Sequence, residues 1–266
     1  YKWLVIMELK SKVAIVTGSS SGIGAAIAVL FAQQGCNIVI NYSRNDSGAK
    51  KVAAECESHG VQTLVQKADV AEDADCRALV AATIEKFGRL DVLINNAGTT
   101  KFCDHANLDG IDKDDFLNIY SVNTVGAFQM VRAAEKSLAQ QEISHVINMA
   151  SIAGIAGVGS SIAYAASKGA LVTMTMSLAR VIGPHIRVNA ICPGFVQGEW
   201  LANGMGQDNY DKMMGGLKRI APLGDTATPE RIAETALGIV TGMDWTTGET
   251  IIVDGGAHLH TAPLRR

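Results

Sequence analysis

Short β-branched runs alternate with helical periodicity along nearly the whole chain, and that alternation restricts the fold more than any other feature. Residues 13–16, 38–40, 61–65, 91–94, 146–149, 185–191 and 250–253 read as buried strands. Between them, residues 23–34, 46–58, 72–87, 114–139, 162–182 and 229–241 carry helical spacing. Gly35 and Gly60 fall just past two of those helices, where a left-handed residue commonly ends the last turn. Such a series closes into a parallel sheet covered by helices on both faces. No composition break divides it, so one α/β domain over residues 7–266 is expected. Residues 195–228 are the exception: Gly, Met, Asn and Pro without clean periodicity, expected as an inserted lid.

With 48% hydrophobic and 18% charged residues the chain can bury a sizeable core, which excludes a disordered class. A net charge of -3 without basic tracts gives no footprint for nucleic acid. No apolar run approaches the roughly 20 residues that span a bilayer. The cysteines at 36, 56, 76, 103 and 192 are odd in number and lack CxxC spacing, so they read as reduced thiols in a cytoplasmic protein. Most of them are expected to be buried; Cys192, beside a glycine-containing turn, is the candidate for an accessible thiol, with nothing near it that marks a nucleophile. Residues 1–6 read as an upstream remnant before a natural start at Met7. His258 and His260 lack an evident third ligand, so no metal is expected.

The first strand runs into Thr17-Gly18-Ser19-Ser20-Ser21-Gly22-Ile23-Gly24 and then into a helix. Unpaired N–H groups and the positive end of the dipole make a helix start a seat for a pyrophosphate. Glycines let the backbone approach the ligand and the strand. Gly18, Ser20, Ser21, Gly22, Ile23 and Gly24 are therefore candidate nucleotide contacts, although the spacing differs from GxGxxG and structural turns resemble it.

Thr17-Gly-x-x-x-Gly-x-Gly24, Asn95-Asn96-Ala97-Gly98, Ser151, Tyr164-x-x-x-Lys168 and Pro193-Gly194 together resemble the short-chain dehydrogenase/reductase family in its single-domain form. The resemblance covers about residues 10–257. It implies a Rossmann-like, doubly wound parallel sheet of about seven strands and a homotetramer, or else a dimer.

Tyr164 and Lys168 lie four apart on one helix face, so the ammonium is expected to draw the phenol's pKa from about 10 towards neutrality. Spacing alone also fits an ordinary solvated pair. Ser151, at the end of the fifth strand and 13 residues before Tyr164, matches the family spacing and would steady a developing alkoxide. Asn123 matches the family's helix asparagine, where a bend holds a water that links the lysine to solvent; a buried amide bonded to backbone is the alternative. The resemblance thus implies a nicotinamide-dependent oxidoreductase. Ser151 and Tyr164 would hold the substrate oxygen, Tyr164 would act as acid or base, and Lys168 would also bond the nicotinamide ribose. Asn96, Ala97 and Gly98 should line the adenosine-ribose side, Asp69 and Val70 should meet adenine, and Pro193, Gly194 and Val196 should lie at the nicotinamide.

The second strand ends in Asn41-Tyr42-Ser43-Arg44-Asn45, with no acid before Asp46. An acid there would bond the ribose hydroxyls and repel a 2′-phosphate. Ser43 and Arg44 suit that phosphate, so NADP(H) is expected, with NAD(H) as the alternative. Ser21 departs from NADP-using relatives, many of which carry a basic residue there.

The overall pattern is nearest to 3-oxoacyl-carrier-protein-reductase-like members. Two departures argue against that substrate. Ala139-Gln140-Gln141-Glu142 lacks the basic residues an acidic partner would want, and Gly198 stands where the family often has threonine. A small or medium ketone or secondary alcohol is expected, with Trp200, Met205, Met213 and Met214 as a pocket wall or ordinary packing, and Phe102 and His105 near substrate. An NAD-linked alcohol, sugar or steroid dehydrogenase and a non-catalytic cofactor-binding regulator are the competing readings. Self-association is expected through helices 114–139 and 162–182, the latter by Leu171, Met174 and Leu178.

Overall fold

The computed structural model describes residues 7–259. The expected remnant at 1–6 and His260 lie outside them.

Seven strands form one parallel sheet in the order β3-β2-β1-β4-β5-β6-β7. They are β1 (Val13–Val16), β2 (Asn37–Tyr42), β3 (Thr63–Lys67), β4 (Val92–Asn95), β5 (Ser144–Met149), β6 (Ile186–Pro193) and β7 (Thr250–Val253). Period-two alternation sends successive β1 side chains to opposite faces. Ala14 and Val16 join one core with Ile27, Phe31, Ile40 and Ile239, while Val13 and Ile15 join the other with Leu79, Leu93, Leu138 and Leu178.

The first face is covered by α1 (Gly22–Gln33), α2 (Asp46–Glu57) and, after the lid, the last long helix, Pro229–Gly242. The second is covered by α3 (Asp73–Phe87), by α4 (Lys113–Tyr120) running on into α5 (Ala127–Leu138), and, after the short α6 (Ala153–Ala156), by α7 (Ile162–Ile182). Strand order reverses between β1 and β4, so the crevice beyond their carboxyl ends is the place where an open α/β sheet takes its ligand.

Three expectations change. The third strand begins at Thr63 rather than at residue 61. Residues 195–228 are not an aperiodic loop: they hold α8 (Glu199–Met205) and α9 (Gln207–Ile220), before the helix at Pro229–Gly242, which is α10. Leu171 and Leu178 do not face outward from α7; they are buried in the protomer's own core, with Met174 packed partly buried beside them.

Candidate active site

At the carboxyl end of β1 the chain turns so tightly that two side chains are excluded. A Cβ on Gly18 (φ +62°) would stand 2.9 Å from the Cα of Ala97, and one on Gly24 would stand 2.5 Å from Asn96 Nδ2. Ser21, the residue before α1, makes no capping bond, and a Cβ on Gly22 would meet nothing within 4 Å. The start of α1 is therefore an open seat for an anion, and the residues present fit a dinucleotide pyrophosphate.

The loop after β4 braces this turn. Asn96 donates through Nδ2 to the carbonyls of Thr17 (2.9 Å) and Gly18 (3.1 Å), and Thr17 Oγ1 accepts from the N–H groups of Asn96 and Ala97. The Asn96 side chain, expected along the adenosine ribose, is thus committed to the turn. Asn41 was not singled out from the sequence. It is buried at the end of β2, accepts from Gly18 N–H at 3.1 Å and donates to Ala68 O at 3.0 Å. Its only signal was a polar residue closing an apolar strand.

Ser43 and Arg44 are exposed just beyond β2. The nearby Asp46 carboxylate is held by Lys50 Nζ at 2.6 Å. Hydrogen bonds from Lys50 and then Tyr42 keep it below the ordinary carboxylate pKa. Asp69 is exposed and accepts from Ala71 N–H, whereas Val70 is buried and its carbonyl accepts from Gln129 Nε2.

Across the reversal point lies the second group of residues. Ser151 follows β5, and its Oγ accepts from Ala153 N–H at 3.1 Å, where α6 begins. Ser161 caps α7 by accepting from Tyr164 N–H at 3.2 Å, which fixes Tyr164 in the first turn. Lys168 follows one turn later, 4% exposed. Its Nζ donates to Met149 O at 2.7 Å and lies 5.7 Å from the Tyr164 ring centre.

The expected fall of the tyrosine pKa is not found. Burial pushes the phenol up to about 12; the neighbouring Ser151 side chain pulls the other way, and Cys192 adds to the rise. Burial also brings Lys168 down to about 8. Desolvation disfavours the charged form of both groups, so in this state the pair is a neutral phenol beside a weakly basic amine.

Asn123 sits in a π-helical segment, Ser121–Gly126, between α4 and α5. This is the local distortion its low helix propensity suggested. Its Oδ1 accepts from Thr99 N–H at 2.8 Å; its Nδ2 donates to Thr99 O and to Ser167 Oγ, both at 3.0 Å. A Cβ on Gly98 would lie 3.4 Å from Asn123 Oδ1 and 3.6 Å from Lys168 Nζ, so the β4 loop, the π segment and α7 converge there. The side chain is thus a buried amide bonded to backbone and to Ser167.

Pro193 closes β6, and Gly194 N–H donates to Val253 O at 3.0 Å. Val196 bridges to Ala227 through bonds made by Phe195 and Gln197, which leave its own main-chain groups outside that ladder. Cys192 is fully buried, as are Cys36, Cys56 and Cys76, so the thiols are mostly buried as expected and the accessibility considered for Cys192 is not found. Trp200 reaches the site from α8, its ring 6.2 Å from that of Tyr164 and 5.8 Å from that of Phe102. Met213 is half exposed on α9. Among the described residues no group of His, Cys, Asp and Glu is arranged to hold a metal, and no helix is long and apolar enough to cross a membrane.

A family profile described as enoyl-(acyl carrier protein) reductase matches residues 18–258. A Streptomyces violaceoruber protein assigned as ketoacyl reductase 2 of the granaticin polyketide synthase is 40% identical over 94% of this chain and 97% of its own length. A crystal structure of a Burkholderia xenovorans protein assigned to the short-chain dehydrogenases/reductases superposes with a TM-score of 0.86 at 41% identity, covering 93% of this chain and 98% of that one. NAD+-bound xylitol dehydrogenase superposes with a TM-score of 0.85 at 26% identity, covering 94% of this chain and all (100%) of that one.

Proposed function

Since the chain belongs to the short-chain dehydrogenase/reductase family, we propose that it is an NADP(H)-dependent oxidoreductase interconverting a ketone and a secondary alcohol. One observation carries the reading: Tyr164 has Lys168 Nζ 5.7 Å from its ring centre and Ser151 beside it at the sheet's carboxyl edge, across the strand-order reversal from an open helix start.

The nicotinamide, when bound, supplies or accepts the hydride. Gly18, Ser20, Ser21, Gly22, Ile23 and Gly24 hold the pyrophosphate. Ala97, Gly98, Asp69 and Val70 wall the adenosine side, and Pro193, Gly194 and Val196 receive the amide of the ring. Ser151 and Tyr164 hold the carbonyl oxygen of the substrate. A phenol that keeps its proton is the correct form for reduction: it donates that proton to the oxygen as alkoxide charge develops. Lys168 then stands one turn away to offset the phenolate. It keeps two further donors for a ribose hydroxyl. Asn123 holds the π segment against Thr99 and Ser167 beside that lysine, where a proton can be returned from solvent.

The preference for NADP(H) rests on the end of β2. Asp46 is occupied by Lys50, while Ser43 and Arg44 are free to take a 2′-phosphate. NAD(H) use, as in the xylitol dehydrogenase whose structure holds NAD+, is the second reading. Oxidation of NADPH and NADH, followed at the nicotinamide absorbance against a panel of ketones, separates them. NADH binding equal to or tighter than NADPH binding overturns the assignment.

The proposal extends to a homo-oligomer, a tetramer in the first instance. Leu117, Val125 and Phe128 on the α4–α5 side and Ile162 and Met176 on α7 are exposed apolar side chains in one protomer. Light scattering that gives a monomer removes it. Five unpaired thiols suit a reducing compartment.

A further inference from the structure

We propose that Trp200 and Phe102 form a ring-recognition clamp beside the Tyr164 phenol, and that the preferred substrate carries a planar aromatic or conjugated ring next to its reacting carbonyl. The inference rests on the oxidoreductase reading and names the substrate class for it.

Three rings converge at the site. Trp200 meets Phe102 at 5.8 Å with an interplanar angle of 56°, and Tyr164 at 6.2 Å and 46°. Both contacts have the tilted geometry that aromatic quadrupoles favour. Trp200 is nevertheless 51% exposed, so much of its indole is left for another ring to cover.

The arrangement is seated from below. A Cβ on Gly204 would come within 1.9–2.6 Å of three Phe102 ring atoms, so the ring rests on the bare backbone of α8. The loop that carries Phe102 is tied to the start of α7: Cys103 N–H donates to Ser160 O at 2.8 Å, and Thr100 Oγ1 lies 2.6 Å from Ser160 Oγ. Phe102 and Tyr164 are thus fixed to one frame.

By contrast, α8 buries none of its residues. Glycines with positive φ bracket it, Gly198 and Gly206. Trp200 therefore rides on an element without a buried residue of its own, and a substrate ring entering beside Tyr164 would meet the exposed part of the indole. A flat ring gains from that surface; a linear acyl chain offers no matching face.

The test compares a bicyclic aryl ketone with a linear 3-oxo thioester in the full chain with NADPH, read as the ratio of their kcat/KM values. The ratio is expected to favour the aryl ketone. It should fall about tenfold in Trp200→Ala, mainly through KM, and by a smaller factor in Trp200→Phe. A second measurement does not need turnover. In a Trp3→Phe/Trp245→Phe background only Trp200 emits, and the aryl ketone should quench it saturably while the linear thioester does not. A wild-type ratio favouring the linear thioester, a ratio unchanged in Trp200→Ala, or an unquenched Trp200 overturns the clamp. If neither ketone is turned over although Trp200 is quenched, the oxidoreductase reading fails and ring binding stands on its own.

Discussion

Lys168 gives its hydrogen bond to the main-chain oxygen of Met149, at 2.7 Å, rather than to the phenol one helical turn before it. The lysine still lies 5.7 Å from the Tyr164 ring centre, close enough to act on charge that appears there later. Partial burial raises the phenol's pKa to about 12, which favours the protonated form that can act as an acid. Tyr164→Phe should therefore lower kcat by about 10³-fold, within the range for loss of a positioned acid, while the fold is kept. NADPH fluorescence titration should give a dissociation constant within about threefold of wild type, because the pyrophosphate seat is elsewhere. Turnover near the wild-type rate would remove Tyr164 from the mechanism.

The same burial makes Lys168 costly to the folded state. Its pKa falls from 10.5 to about 8, so between those values the unfolded chain binds more protons than the native one. Stability must then rise with pH across that window, by up to about 3 kcal/mol from this group, and the penalty is fully present below pH 8. Lys168→Met should abolish turnover yet unfold at a higher urea midpoint than wild type at pH 7. The difference between the two should shrink by pH 10. Equal midpoints at both pH values would show that the lysine carries no such penalty.

The strand–helix alternation, the glycine turn and the Tyr164–Lys168 pair were legible because each leaves a local pattern: β-branched runs, a turn composition, a four-residue spacing. The lid was not. Gly198, Gly204, Gly206, Gly215 and Gly216 interrupt its helical composition, and α8 buries no residue, so no apolar stripe marks it. Asn41 and Ser167 escaped notice for another reason. Their bonds, to Gly18 and to Asn123, cross 23 and 44 residues of sequence, and a polar residue beside an apolar run does not announce a distant partner. Nor did the Tyr164–Lys168 spacing disclose that desolvation outweighs attraction; that depends on how completely both side chains are covered.

His145, buried on β5, gives the acid limit of stability. Burial first and the Arg187 charge second lower its pKa from 6.5 to about 3. As pH falls through that interval the unfolded state takes up a proton that the native state refuses. Stability is lost on acidification, by up to about 5 kcal/mol at the low end. His145→Leu should flatten the decline between pH 6.5 and 4 in urea titrations. An unchanged slope would assign the acid sensitivity to other groups.

Asn123 is bound on both sides, so its truncation strands partners as well as removing a side chain. Asn123→Ala leaves the N–H and carbonyl of Thr99 without these bonds and takes away the acceptor-side contact of Ser167. A loss of about 2 kcal/mol is expected from such buried groups. If the residue also helps return a proton to the Lys168 side, kcat should fall more than KM changes, and its pH profile should shift. A variant that loses stability while keeping the wild-type kcat and pH profile would confine Asn123 to a structural role.

The end of β2 gives the sharpest test of cofactor choice. Tyr42 closes the strand, Ser43 and Arg44 project beyond it, and the one nearby acid, Asp46, is held by Lys50 at 2.6 Å and by Tyr42. No unpaired carboxylate is thus offered to a ribose diol there, and Arg44 stands exposed for a phosphate. The double variant Ser43→Asp/Arg44→Ala inverts both conditions by removing the cation and adding a carboxylate at the position that discriminates. The kcat/KM for NADPH should drop by about 100-fold, the loss expected when a charge-assisted phosphate contact becomes a repulsion, and that for NADH should rise. An NADPH-to-NADH ratio unmoved by the double variant would show that this segment does not touch the adenosine phosphate, whichever cofactor the wild type prefers.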